Sequence, residues 1–200
     1  MTKVVVMNGP VGCGKDRASS MLGAYLFKEG VNALPCRFKV PLYSLACLIY
    51  QVDREWFYQT HEDRVTKEVC QERLGGKSTR QVLIEVSEEV IKPFYGSSYF
   101  GDYAVNYLKS RNWPVSIFSD SGFEEELEPV SNYVGKENVI LCRIRNRGSF
   151  SNDSRSFLSD KHAGTVLDYD NSGSLDELHK WVESVGDMIL KEFEIDATGC

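Results

Sequence analysis

The chain has no apolar run approaching the ~20 residues that a membrane-spanning helix requires, and none of its six cysteines has a partner at C-x-x-C spacing. The first absence argues against a spanning helix. The second removes the usual framework of a zinc site, which draws on closely spaced Cys and His pairs. Six thiols in 200 residues are also too few for a disulfide scaffold. Reduced, mostly buried cysteines in a cytoplasmic protein are therefore expected. Positive charge is in deficit: 23 Lys and Arg against 29 Asp and Glu give a net charge of −6. A protein that coats nucleic acid by bulk charge needs the opposite balance. The 12% aromatic and 42% apolar content excludes a disordered chain. No repeat or low-complexity segment is visible, and the length suits one domain spanning residues 1–200.

What is present alternates between two periodicities. Val4 to Met7 forms a continuous apolar run, as in a strand buried on both faces. The run is too short for a signal-peptide core and has no small-residue cleavage site after it. A Gly-rich turn and a helix carrying Met21, Leu22, Tyr25 and Leu26 follow, ending at Gly30. Residues 31–39 predict a second strand interrupted by Pro35, and a helix starts near Pro41 with Leu42, Leu45, Leu48 and Ile49. Residues 53–77 read as polar and irregular. A capping box at Ser78 and Gln81 opens a helix with Val82, Leu83, Val86 and Val90 on one face, which Pro93 ends. Another helix covers residues 98–110, and PVSIFS (114–119) is a strand. The helix after it carries Phe123, Leu127, Val130 and Val134, with Glu124, Glu125, Glu126 and Glu128 mostly outward. Val139 to Ile144 and Thr165 to Leu167 read as strands, and a capping box at Ser174 and Glu177 opens the last helix. Strands alternating with helices predict an α/β fold with a parallel sheet flanked by helices.

The strongest chemical signal is Gly9-Pro10-Val11-Gly12-Cys13-Gly14-Lys15-Asp16, which follows the first strand and opens a helix. It matches G-x-x-x-x-G-K in the strand–loop–helix context. Glycines let successive backbone N–H groups converge on a phosphate, the helix N-terminus adds partial positive charge, and Lys15 reaches the β and γ phosphates of ATP. Asp16 stands where a Ser or Thr usually binds Mg²⁺; a carboxylate suits that hard cation, although Arg17 or Arg155 is an alternative partner for it. Asp120 ends PVSIFS, at the sheet edge where ligands bind, and is either a metal or catalytic carboxylate or a helix N-cap. Four of the eleven arginines fall within thirteen positions: Arg143, Arg145, Arg147 and Arg155. Arg147 and Arg155 flank a Gly- and Ser-rich stretch suited to a lid over residues 147–162 that neutralises transferring phosphates. Lys39 and Arg80 are candidates for an acceptor phosphate, with Arg143 beside them.

In this order the motifs resemble those of the bacteriophage deoxynucleoside monophosphate kinases, a family of P-loop nucleotide kinases. The ending Gly14-Lys15-Asp16 is similar to that family's variant of the loop, and Phe38-Lys39-Val40-Pro41-Leu42 to the start of its acceptor region. Gly76-Lys77-Ser78-Thr79-Arg80 resembles its monophosphate segment, and Asp120 with Glu125 its D-x-R-x-x-x-E segment. Asp153-Ser154-Arg155 resembles its lid, and Asp170 through Leu175 its N-x-G-x-L turn. The resemblance implies a P-loop kinase fold with a helical acceptor-binding region at about 41–112, and ATP- and Mg²⁺-dependent transfer to a deoxynucleoside 5′-monophosphate. Two departures touch the acceptor side: Gly122 replaces the pattern's Arg, and Val86-Ser87-Glu88-Glu89 replaces an L-G-T-D segment. They keep open a kinase that phosphorylates a hydroxyl such as that of 5-hydroxymethyluracil in phage DNA, with Asp120 as its base. A nucleotide-binding ATPase or switch without an acceptor is a third reading.

Overall fold

The computed structural model describes residues 2–63, 65–151 and 155–198. Five strands, β1 (Lys3–Asn8), β2 (Ala33–Cys36), β3 (Val115–Ser121), β4 (Val139–Arg145) and β5 (Thr165–Asp170), form one sheet in the order β2-β3-β1-β4-β5. Every pairing in it is parallel. Around the sheet lie α1 (Lys15–Lys28), α2 (Val40–Tyr50), α3 (Arg54–Glu62), α4 (Thr79–Glu85), α5 (Lys92–Tyr95), α6 (Tyr99–Arg111), α7 (Glu124–Val134) and α8 (Leu175–Thr198).

The two-residue period of β1 explains the layering. Val4 and Val6 enter one core with Phe118, Leu141, Phe100 and Leu127; Val5 and Met7 enter the other with Leu22, Leu26, Ile140, Val182 and Ile189. Helices α1 and α8 thus cover one face, and α6, α7 and the β2–β3 insertion cover the other. This is the expected three-layer α/β arrangement. Pro35 falls on edge strand β2, where a missing N–H costs no ladder bond on the open side. The five described cysteines are free thiols, four of them buried. Among the described residues no helix is long and apolar enough to cross a membrane.

Several local expectations fail for identifiable reasons. Residues 53–77 are not irregular throughout: Asp53 caps α3 by accepting from the Trp56 N–H at 2.8 Å, and Phe57 anchors the helix in the core. Pro93 does not end the helix begun at Ser78, whose capping box is formed with both bonds. A π-turn at Val86–Ile91 follows α4, with the Lys92 N–H bonded to the Ser87 carbonyl, and the rod continues through α5 with Pro93 in its first turn. The wider turn shifts the inward face by one residue, so Ile91 (3% exposed) is buried in place of Val90 (37% exposed). In α2, Leu48 and Ile49 face outward and Tyr43, Ala46 and Cys47 inward. Strand β3 runs to Ser121, so Asp120 lies in the strand and Phe123, not Asp120, precedes α7.

Candidate active site

The carboxyl ends of β1 and β3 meet where the chain leaves β1 toward one sheet edge and β3 toward the other, which is where open parallel sheets bind ligands. The loop after β1 is fixed from three sides. Lys15, 6% exposed, donates to the Pro10 carbonyl at 3.2 Å, so its ammonium lies along the inside of the loop that Gly9, Gly12 and Cys13 complete. Asn171, in the turn before α8, donates to the Cys13 carbonyl at 2.7 Å. Val11 bridges to Ser149 of the segment after β4. Gly14 begins α1 at φ +99°, a left-handed conformation that only glycine takes without strain. Burial raises the Cys13 thiol above its ordinary pKa, so it serves as a small core group.

A cleft of about 620 Å³ opens from this loop across the helices inserted between β2 and β3. Gly12, Lys15, Asp16, Lys39, Arg80, Asp120 and Arg155 all line it, so these sequence candidates come together. Asp120 is not a helix cap: its two carboxylate oxygens accept from the Phe38 and Lys39 N–H groups at 2.9 and 3.1 Å. It therefore pins the β2–α2 connection, and with it Arg37 and Lys39, to the end of β3. Burial lowers the Lys39 pKa. Arg37 and Lys39 share Glu62 at 3.1 and 3.9 Å, and Arg80 pairs with Glu68 at 3.1 Å. His61 reports the local field. Burial, then Lys39, Lys67, Arg80 and Arg37, push its pKa down to about 3. The imidazole stays neutral among four cations, an environment suited to an anionic ligand.

Arg155 reaches the cleft through a gap. A β-carbon on Gly122 would lie 2.5–2.6 Å from Cβ, Cγ and Cδ of Arg155, so the arginine stem occupies the space a side chain at 122 would need. Asn8, fully buried, donates to the Ser156 carbonyl at 3.1 Å and accepts from the Leu158 N–H at 3.0 Å, and Ser156 N–H donates to the Gly122 carbonyl at 3.3 Å. Residues 155–158 are thereby laced to the ends of β1 and β3. Asp153 and Ser154 of the expected lid lie outside the described residues.

Other expectations are corrected. Arg143 does not line the cleft: it donates to the Leu158 carbonyl at 2.8 Å and pairs with Asp168 at 3.5 Å. Arg145 shares Asp168 and stacks on the Phe157 ring at 4.4 Å. Arg147 is exposed and also outside the lining. In α7, Glu126 is not outward but 7% exposed and lines the cleft, while Glu125 is exposed. Counted from Asp120, the D-x-R-x-x-x-E spacing ends at 126, so the buried acid is the one that fits the pattern. Burial first, then the Asp120 carboxylate, raises Glu126 to about 8. Arg37, His61 and Lys67 went unrecognised in the sequence because the segment carrying two of them gave no clear periodicity.

No family model and no curated protein matches this sequence. Among solved structures, the chain is similar to a sugar kinase from Janibacter sp. at 8% identity and a TM-score of 0.48, covering 92% of this chain and 94% of that one. It is also similar to a gluconokinase from Sinorhizobium meliloti at 11% identity and a TM-score of 0.48, covering 98% and 97%. At such identities and scores nothing about this chain's chemistry follows from the matches.

Proposed function

We propose that the protein transfers the γ-phosphoryl group of ATP to a deoxynucleoside 5′-monophosphate in the cytoplasm, giving the diphosphate. The observation that carries this reading is the continuity of a Lys15-containing phosphate loop with a cleft whose Arg37, Lys39, Lys67 and Arg80 surround a neutral His61. A phosphate-binding loop alone would serve an ATPase or switch; a second cluster of cations supports a second phosphorylated ligand. The motif resemblance to the phage monophosphate kinases supports the same acceptor class.

Among the described residues no group of three His, Cys, Asp or Glu is placed to hold a metal by itself. That suits Mg²⁺, which is held by one or two carboxylates together with substrate phosphates and water. Asp16, exposed in the first turn of α1 and lining the cleft, is the carboxylate we assign to it. When bound, ATP supplies the phosphoryl group and Mg²⁺ offsets its charge. The chain's own residues position and neutralise: the loop N–H groups and Lys15 hold the donor phosphates, and Arg37, Lys39 and Arg80 hold the acceptor phosphate. Asp120 keeps Lys39 in place through the backbone, and Arg155 brings a further positive charge over the reacting groups. A phosphate acceptor is already ionised and needs no base. A hydroxyl in DNA benefits from one, yet both Asp120 oxygens face backbone N–H groups and Glu126 is held as the acid. Arg143 and Arg145, which a DNA strand would need, are committed to Asp168.

The test offers labelled ATP and Mg²⁺ with each deoxynucleoside monophosphate and, separately, DNA containing 5-hydroxymethyluracil. Label is expected in a monophosphate, and Lys15→Ala should abolish it while the protein stays folded by circular dichroism. Label appearing only in DNA, or hydrolysis that no acceptor stimulates, sinks the proposal.

A further inference from the structure

Resting on the monophosphate-kinase reading, we infer that Glu126 recognises the ring of the acceptor, its carboxyl offering one hydrogen-bond donor and one acceptor to the polar edge of a nucleobase. Glu126 sits where α7 packs on α6, and a β-carbon on Gly101 would strike its main-chain carbonyl oxygen. The residue is 7% exposed and lines the wall of the cleft. Phe100 of α6 and Phe123 line the same cleft, and Lys92 lies 4.5 Å above the Phe123 ring. The wall thus sets two aromatic side chains beside a buried carboxyl, as in sites that stack a heterocycle and fix it by its edge.

The charged groups that face Glu126 are Asp120 from β3, Lys92 from α5, Arg155 from the segment after β4, and Glu125 beside it in α7. Burial and the neighbouring carboxylates outweigh the two cations, so the group stays protonated through neutral pH. A carboxylic acid presents an O–H donor and a carbonyl acceptor side by side. The amide and amidine edges of nucleobases present the reverse pair. A phosphate at this wall would meet the Asp120 carboxylate, whereas the Arg37, Lys39, Lys67 and Arg80 cluster attracts it. The acceptor thus has one orientation, phosphate to the cations and ring to Glu126.

The test compares wild type, Glu126→Gln and Glu126→Ala. Calorimetry measures binding of each deoxynucleoside monophosphate and of base-free deoxyribose 5-phosphate, without ATP or Mg²⁺; steady-state transfer is measured in parallel. An amide keeps one donor and one acceptor in the same place, so Glu126→Gln should bind the preferred monophosphate within about threefold of wild type. Glu126→Ala should weaken it about tenfold, the loss of one or two hydrogen bonds, and should leave deoxyribose 5-phosphate binding unchanged. Wild-type binding should weaken as pH rises through about 8 while Glu126→Gln stays level. Equal losses in Gln and Ala, or an Ala loss that extends to the base-free ligand, overturn the inference while leaving the kinase reading standing. Wild type that binds and phosphorylates no monophosphate overturns both.

Discussion

A single missing side chain decides how the arginine of the post-β4 segment is used. Because Gly122 leaves room for the Arg155 stem, the guanidinium approaches the cleft across the end of β3 and not around it. Even a methyl group at 122 must displace that stem, since 2.5 Å is far inside carbon–carbon contact distance. Misplacing a phosphate-neutralising cation by an ångström is worth up to about a hundredfold in rate. Gly122→Ala is expected to lower kcat by about 10- to 100-fold with little change in the KM for ATP. In an Arg155→Gly background the same substitution should cost nothing further, because the whole stem, its β-carbon included, is gone. Additive losses in that double-mutant cycle would show that Gly122 acts through the fold and not through Arg155.

At the scale of elements, the π-turn between α4 and α5 is the clearest case of structure departing from pattern. A strict 3.6-residue period places Val90 inward; the extra residue in the turn brings in Ile91 and frees the rod to pass Pro93. Denaturant titration should therefore find Ile91→Ala destabilising by about 2–4 kcal/mol and Val90→Ala by less than about 1 kcal/mol. The reverse order would mean the helix is regular. The strands and the phosphate loop were legible in the sequence because their residue types form short local patterns, and the capping boxes at Ser78 and Ser174 because both partners lie three residues apart. The cation cluster was legible only at Lys39 and Arg80; Arg37, Lys67 and the neutral His61 between them are joined to these by tertiary packing alone. Glu126 was misread for a related reason. A run of glutamates at a helix start suits solvent and the helix dipole equally well, and only the tertiary packing of α7 singles out one of them for burial.

For the molecule as a whole, the net charge of −6 is an average over an acidic exterior and a cleft rich in cations. That distribution favours a small phosphorylated ligand over a long polyanion, whose strand would meet the acidic rim. One buried acid also leaves its mark on global stability. Glu126 has a folded pKa of about 8, above its ordinary value of 4.5, so the folded protein holds that proton where the unfolded chain releases it. Its contribution is complete below about pH 4.5 and is lost as pH rises through about 8. Thermal unfolding across this window should show wild type losing stability relative to Glu126→Gln, with the gap widest above pH 8; parallel curves would mean the carboxyl is already ionised in the fold.

The bond from Asn171 to the Cys13 carbonyl joins groups 158 residues apart. On the ribosome the loop emerges early, but the side chain that steadies it arrives only after β5 has been made. A partly synthesised chain therefore lacks one of the contacts that fix the loop, and the loop's surroundings are completed late in the making of each molecule.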